Sequence, residues 1–154
     1  MTQTAAVTSI TVDINAPAQF VWDVLVDFEK YGEWNPFNPQ VEATFEIGKP
    51  ITMQVVMDDP NAASTMTEYF TRIEGPHHLA WELVSSPETG DKVTHDHFIN
   101  AITATRCTYQ HSDTFTGPSS AHIVAQFGDG IKSAFDAVAN ALKARAELLY
   151  AARK

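Results

Sequence analysis

Apolar and polar residues alternate near the start of the chain and then change to a helical spacing. Ile10, Val12 and Ile14 alternate with polar neighbours, which predicts a strand. Pro17 fits the first turn of a following helix, because that position needs no N–H and the φ of proline is already helical. The helix itself is predicted from apolar residues at i, i+3, i+4 and i+7: Val21, Val24, Leu25 and Phe28.

Beyond this helix apolar and polar residues again alternate with a period of two, which predicts six strands separated by turn residues. They are expected at residues 41–45, 51–57, 65–73, 78–83, 92–101 and 105–116. Asp58-Asp59-Pro60-Asn61 predicts a tight turn between two of them. The inner face of the strand over 65–73 stays open, because two sets of residues compete for it: Tyr69, Thr71 and Ile73, or Phe70 and Arg72.

The last 25 residues again show a helical period. Residues 130–153 predict a long amphipathic helix with an apolar stripe of Ile131, Phe135, Val138, Leu142 and Leu149. Residues 122–127 are expected to form a short helix or an irregular lead-in. Gly128-Asp129-Gly130 predicts a tight turn that places Asp129 near the N-terminus of the long helix, where a negative charge is favourable. Strands and helices are therefore segregated, which favours an α+β fold with an antiparallel sheet.

Composition and charge narrow the class of protein. A chain of 154 residues, 44% of them hydrophobic and 19% charged, fits one domain over 1–154 with a substantial core. A formal net charge of −9 disfavours nucleic acid or an anionic membrane as partner. No apolar run approaches the roughly 20 residues that span a bilayer, and we expect no membrane insertion. The N-terminus has no secretion signal pattern, and the single cysteine, Cys107, fits a reducing compartment, so the cytoplasm is the expected location.

Four segments follow one another along the chain: the Pro-started helix followed by Trp34-Asn35-Pro36-Phe37, Gly75-Pro76 with Leu79 and Trp81, Thr105-Arg106 with residues 111–117, and the helix over 141–147. In this order they resemble the polyketide cyclase/dehydrase and lipid-transport family of the START-like, or helix-grip, superfamily. The resemblance implies a seven-stranded, strongly curved antiparallel sheet wrapped around the long C-terminal helix. It also implies two short helices between strands 1 and 2, and a ligand cavity. Asp113 stands where family members commonly carry Glu, and Ala101-Ile102-Thr103-Ala104 replaces a glycine-rich turn.

A cavity of this kind is mainly apolar with a few polar groups, and methionines suit it because they are flexible and polarizable. The competing interpretation is that the same side chains close-pack as an ordinary core. The expected gate lies near residues 34–37 and the loop 58–64. The expected ligand-binding residues are Trp34, Phe37, Met53, Val55, Met57, Trp81, Phe98, Tyr109, His111, Phe115, Phe135 and Leu142.

Polar residues on the strand over 105–116 could act on a ligand. Cys107, Tyr109, His111, Asp113 and Phe115 share one face, and its apolar members indicate that this face is the inner one. Successive members lie about 7 Å apart, so Asp113 is too far along the strand to orient His111 unless the chain bends. A position near the solvated rim is the simpler interpretation of His111 and Asp113. We therefore expect ligand contact from Tyr109 and His111, which would be the acid–base residues if the protein were an enzyme.

Metal and covalent chemistry find little support in the sequence. His95 and His97 share a face of one strand, but Asp96 points away from them and no third ligand has a suitable spacing. They are interpreted as solvated histidines, and we expect no metal and no cofactor. No nucleophile or phosphate-binding motif occurs, and Cys107 is interpreted as a small core residue.

Three functions remain open. The leading one is binding of an apolar or aromatic small molecule, lipid-like or polyketide-like, by a monomer or homodimer. The alternative is a cyclase or dehydratase acting on a polyketide-like carbonyl compound by general acid–base catalysis. The third is an interaction module with an exposed apolar patch. Polar residues expected on the outer face of the sheet, Thr52, Gln54, Thr108, Gln110 and Ser112, count against a patch there.

Overall fold

One antiparallel sheet dominates the computed structural model, which describes residues 3–57 and 60–153. Within those residues the strands are β1 (Thr4–Thr8), β2 (Val12–Ile14), β3 (Val41–Ala43), β4 (Pro50–Val55), β5 (Ser64–Glu74), β6 (His78–Ser86), β7 (Asp91–Thr103) and β8 (Arg106–Thr116). Their order is β1-β8-β7-β6-β5-β4-β3, and β2 also pairs with β8. This curved sheet and its long C-terminal helix confirm the predicted helix-grip architecture.

The predicted strand over residues 10–14 is β2, and a further strand, β1, precedes it. Both β1 and β2 pair with β8, and Ser9 lies between them. The Ser9 amide donates to the His111 carbonyl at 2.8 Å, while the His111 amide donates to Ser9 Oγ at 3.0 Å. Sequence reasoning missed β1, because residues 4–8 are small or polar and carry no clear apolar alternation.

Two short helical segments follow β2, as predicted. The helix α1 spans Ala18–Leu25 with Pro17 as its extended N-cap, and a 3₁₀ helix spans Phe28–Glu33. A further short 3₁₀ segment, Pro60–Ala62, precedes β5. The predicted turn at Asp58 and Asp59 lies outside the described residues.

The C-terminal helix is longer than predicted. The helix α2 is continuous over Ser120–Ala151, so the lead-in and the glycine turn predicted at 128–130 are wrong. Gly128 lies inside the helix where it crosses β1, and a Cβ there would stand 3.3 Å from Val124 and 3.7 Å from Val7. The glycine allows close packing, which offsets the roughly 1 kcal/mol that glycine costs in a helix.

A β-bulge resolves the uncertain face of β5. Glu68 and Phe70 are buried and Tyr69 is 51% exposed, so the even-numbered residues face inward up to the bulge between Phe70 and Arg72. Beyond the bulge the odd-numbered Ile73 packs against the core. Each of the two competing patterns therefore holds over part of the strand, because one extra residue reverses the alternation.

The densest packing lies between α1, the C-terminal half of α2 and one half of the inner sheet face. Its fully buried members include Ile14, Leu25, Leu79, Ile99, Cys107 and Leu142. Burial raises the pKa of the Cys107 thiol to about 11, so this cysteine stays protonated and behaves as a core residue, as expected. None of the helices in residues 3–57 and 60–153 is long and apolar enough to cross a membrane.

Candidate functional site

The inner face of the other half of the sheet does not close against α2 and leaves a cavity of about 180 Å³. Strands β4 to β8 supply its walls, Phe37 and Asn38 supply one side, and α2 covers it. The lining residues are Phe37, Asn38, Met53, Val55, Met66, Glu68, Trp81, Val93, His95, His111, Asp113, Phe115, Ile131 and Phe135.

Strand pairing brings the polar residues of this cavity together. In the hairpin of β7 and β8, His95 lies opposite Asp113 and His97 opposite His111, so the odd-numbered residues of both strands share the inner face. Trp81 of β6 lies opposite His95 on its other side. The interpretation of His95 and His97 as solvated residues is therefore wrong, because their strand partners are the buried residues of β8.

Asp113 is the centre of a buried hydrogen-bonded network. One of its oxygens, Oδ1, accepts from His95 Nδ1 at 2.6 Å and from His111 Nε2 at 2.9 Å. The expectation that Asp113 could not reach His111 is wrong, because Nε2 lies at the far end of the imidazole and spans much of the separation between the two residues. Asp113 is only 3% exposed, so it is not a solvated rim residue either.

His95 lies between two carboxylates. Its Nε2 is 2.9 Å from Glu68 Oε1, and its Nδ1 contacts Asp113. Burial by itself lowers the pKa of His95, but the charges and contacts of Asp113 and Glu68 outweigh it and raise the pKa to about 10. His95 is therefore an imidazolium at neutral pH, with a proton on each nitrogen.

The same interactions keep Asp113 ionised. Burial would raise the pKa of this carboxyl, but the positive charge of His95 and the hydrogen bonds from His111 and His95 lower it below its ordinary value. An ionised carboxylate only accepts hydrogen bonds, so the nitrogen that His111 presents to it, Nε2, carries a proton.

His111 is fixed by a ring contact as well as by Asp113. Its imidazole stacks on Phe135 of α2 with ring centroids 3.9 Å apart and planes at 15°. Its other nitrogen, Nδ1, is buried and has no hydrogen-bond partner among the described residues. In the neutral ring Nδ1 carries the free lone pair, because the proton is on Nε2. Nδ1 is therefore an unsatisfied hydrogen-bond acceptor in the buried network.

A second pair lies behind this network. His97 Nδ1 and the Tyr109 hydroxyl are 2.7 Å apart, and both side chains are buried. Burial lowers the pKa of His97, as do His111, His95 and His78, so His97 is neutral. Burial also raises the pKa of Tyr109, with a smaller contribution from Asp113.

The structure brings seven of the twelve expected ligand-binding residues into the cavity wall. They are Phe37, Met53, Val55, Trp81, His111, Phe115 and Phe135. Their positions follow from the alternation of β4 and β8 and from the helical spacing of α2.

The other five lie elsewhere. Tyr109 and Leu142 are fully buried in the packed half of the core, and Trp34 packs on Tyr31 beside the same half. Met57 lies beyond the end of β4 and is 43% exposed. Phe98 is even-numbered in β7, so it lies on the outer face, with its ring 4.4 Å from that of His78. Of the residues expected at the gate, Phe37 lines the cavity and Trp34 does not. Asp58 and Asp59 lie outside the described residues.

Sequence reasoning missed three of the four members of the network. Glu68 was hidden by the uncertain face of β5, and His95 and Asp113 were assigned to solvent. A usable signal existed for His95: the predicted hairpin with its turn at 101–104 places odd-numbered residues of β7 opposite odd-numbered residues of β8. His95, His111 and Asp113 each present a possible metal-ligand atom, and these atoms lie within 4.8 Å of one another. Residue spacing within one strand could not predict this set, because His95 lies on β7 and the other two residues lie on β8.

Comparisons with known proteins agree with the fold. The sequence model of the polyketide cyclase/dehydrase and lipid transport family matches residues 5–147. A search of curated proteins gave no significant match. Among solved structures, the Zhui aromatase/cyclase from Streptomyces sp. R1128 has a TM-score of 0.74 at 20% identity, over 94% of each chain.

Two further solved structures have the same fold. Norcoclaurine synthase from Thalictrum flavum, in complex with dopamine and hydroxybenzaldehyde, has a TM-score of 0.66 at 15% identity, over 99% of this chain and 90% of that one. The di-domain aromatase/cyclase BexL from the BE-7585A biosynthetic pathway has a TM-score of 0.64 at 18% identity, over 98% of this chain and 51% of that one.

Proposed function

Because the chain belongs to the polyketide cyclase/dehydrase and lipid transport family, we propose that its cavity binds a small aromatic or otherwise apolar molecule. The observation that carries this proposal is the cavity itself, with mainly apolar walls on β4, β8 and α2 and a few polar residues among them. Binding sites for small molecules have this composition. The net charge of −9 also favours such a ligand over a nucleic acid.

The volume of the cavity further narrows the range of ligand sizes that we propose. A buried apolar cavity of about 150 Å³ accommodates benzene, and the cavity here measures about 180 Å³. A single ring with small substituents matches this volume, whereas a fused multi-ring polyketide would extend beyond it. Dopamine and hydroxybenzaldehyde, which norcoclaurine synthase holds in the same fold, are one-ring compounds.

The cavity also orients its ligand. Met53, Val55 and Phe115 offer only apolar contacts, while His111 and the carboxylates of Glu68 and Asp113 supply polar groups in the same wall. A ring with one hydroxyl or carbonyl group would place that group toward His111. Phenols and aromatic aldehydes or ketones are therefore the ligand class we propose.

Isothermal titration calorimetry with phenol, benzaldehyde and the two-ring 2-naphthol tests this proposal. The one-ring compounds should bind, and 2-naphthol should bind at least 10-fold more weakly. Val93→Phe should fill the cavity and weaken one-ring binding at least 10-fold. Thr94→Phe, whose side chain lies on the other face of β7, is the matched control and should bind like the natural chain. No binding, or equal binding to Val93→Phe, would overturn the proposal.

A second candidate function is general acid–base catalysis at a carbonyl compound, supported by the unpartnered Nδ1 of His111. With Nε2 held by Asp113, Nδ1 can take a proton from the carbon next to a carbonyl group, which is the first step of an aldol-type cyclisation. Asp113 would stabilise the imidazolium that forms.

Exchange of the acetophenone methyl protons with D₂O, followed by NMR, is a minimal reaction of this class. The natural chain should accelerate the exchange, and His111→Gln should lower the rate about 100-fold while leaving acetophenone affinity within a few-fold. His78→Gln, on the outer face, should exchange normally. An unchanged rate in His111→Gln would remove this candidate without touching the binding proposal.

A further inference from the structure

Three side chains of the cavity wall converge in the manner of a metal site. His95, His111 and Asp113 each offer one ligand atom, and these atoms lie within 4.8 Å of one another. The hairpin of β7 and β8 fixes this convergence, because His95 pairs directly with Asp113 and His111 lies two residues from Asp113 on the same face. Two imidazoles and one carboxylate are a ligand set used for Zn²⁺ and for other divalent transition metals.

The distances are close to those a bound ion requires. Zn–N and Zn–O bonds of about 2.0–2.1 Å place tetrahedral ligand atoms about 3.3 Å apart. Asp113 Oδ1 is now 2.6 Å from His95 Nδ1 and 2.9 Å from His111 Nε2. Reaching 3.3 Å would lengthen these two contacts by about 0.7 Å and 0.4 Å, and all three ligand atoms already lie within 4.8 Å of one another.

The Glu68 carboxylate lies within ion-pair distance of His95, at the place where metal-binding histidines usually have an outer support. A histidine that binds a metal through one nitrogen typically donates the N–H of the other to a carboxylate. Glu68 Oε1 is 2.9 Å from His95 Nε2, which leaves Nδ1 of His95 directed toward Asp113 and His111. Binding through His95 Nδ1 and His111 Nε2 would release the protons that these atoms carry without metal, and the buried carboxylates of Asp113 and Glu68 would then face the cation.

We propose that His95, His111 and Asp113 bind one divalent transition-metal ion, with Zn²⁺ as the best match, and that Glu68 positions His95. All three ligands line the cavity, so the remaining coordination positions face the space that a small molecule would occupy. This inference is independent of the organic ligand.

The proposal is tested with metal alone. After treatment with EDTA and its removal, calorimetric titration with Zn²⁺ should show one saturable site. Titration with Co²⁺ should develop visible absorption bands of a four- or five-coordinate ion. His95→Gln and Asp113→Asn should each lower Zn²⁺ affinity at least 10-fold. Glu68→Gln, which removes no ligand, should lower it about 10-fold to 100-fold.

The outer face of the sheet provides the control. His78 and Asp96 form a histidine–aspartate pair at 2.7 Å without the other members of the set, so His78→Gln and Asp96→Asn should bind Zn²⁺ like the natural chain. Circular dichroism of every variant separates a lost ligand from a lost fold. Glu68→Gln decides the outcome if the ligand variants unfold. Absence of stoichiometric binding at 100 μM Zn²⁺, or binding that survives His95→Gln and Glu68→Gln, would overturn the proposal.

Discussion

The two faces of strands β6, β7 and β8 each carry a histidine–aspartate pair, and the two pairs differ in their surroundings rather than in their contact. The inner pair, His95 and Asp113, is joined at 2.6 Å, and the outer pair, His78 and Asp96, at 2.7 Å. The outer side chains are each about one-fifth exposed, whereas the Asp113 side chain is 4% exposed.

The difference lies in the number of buried partners. Asp113 also accepts a hydrogen bond from His111, and His95 also faces Glu68, so the inner pair is part of a network from which water is largely excluded. The outer pair has water as an alternative partner. Residue types and one distance are thus common to both pairs, and shared burial of several ionisable side chains is what distinguishes the inner pair.

The largest contrast between the faces should come from removing each carboxylate. Asp113→Asn leaves the His95 charge with Glu68 alone and weakens the hold on His111, so the free energy of unfolding should fall by about 3 kcal/mol. Asp96→Asn should cost less than about 1 kcal/mol, because its pair is partly solvated. Urea denaturation of both variants measures the difference, and equal losses would contradict the distinction between the faces.

The pH dependence of stability should distinguish His95 of the inner pair from His78 of the outer pair. The pKa of His95 is about 10 in the folded chain, against about 6.5 in the unfolded chain. The folded state therefore binds this proton more tightly. The resulting stabilisation is complete below pH 6.5 and is lost as the pH rises from 6.5 through 10.

Between pH 7 and pH 9.5 the natural chain should lose roughly 2–3 kcal/mol more stability than His95→Gln. His78→Gln should retain the loss seen in the natural chain. Urea denaturation at the two pH values tests this, and parallel losses in the natural chain and His95→Gln would show that His95 carries no such charge.

The smallest expected difference in stability between the two faces comes from removing one hydroxyl group on each face. Tyr109→Phe removes the buried hydroxyl next to His97 Nδ1 and should cost about 1–3 kcal/mol, because that nitrogen is left without a partner. Thr67→Val removes an exposed hydroxyl that contacts Thr52 at 2.8 Å on the outer face, and should change stability by less than about 0.5 kcal/mol. Thermal denaturation of the two variants side by side would reveal a failure of this ordering.

The sequence predicted the architecture more completely than the site. Period-two and period-3.6 patterns placed the core residues on the inner face of β4 and on α2, because burial follows these periods directly. The inward position of Glu68 was not predicted, because a bulge changes the alternation within β5. A bulge leaves no clear mark in the pattern of apolar and polar residues. The burial of His95 and Asp113 was not predicted, because single histidine and aspartate residues are usually solvated. Their burial in this structure depends on partners in neighbouring strands.

The place of Trp81 gives this chain an optical consequence. Of its three tryptophans, Trp81 lines the cavity, whereas Trp22 lies beside Gly75 in the packed core and Trp34 lies against Tyr31. Indole emission responds to the polarity and the charges around the ring, and Trp81 has His97 and His95 as ring neighbours. With Trp22 and Trp34 replaced by Phe, the remaining tryptophan fluorescence would come from the cavity wall alone, so the protein carries a built-in reporter of what enters it.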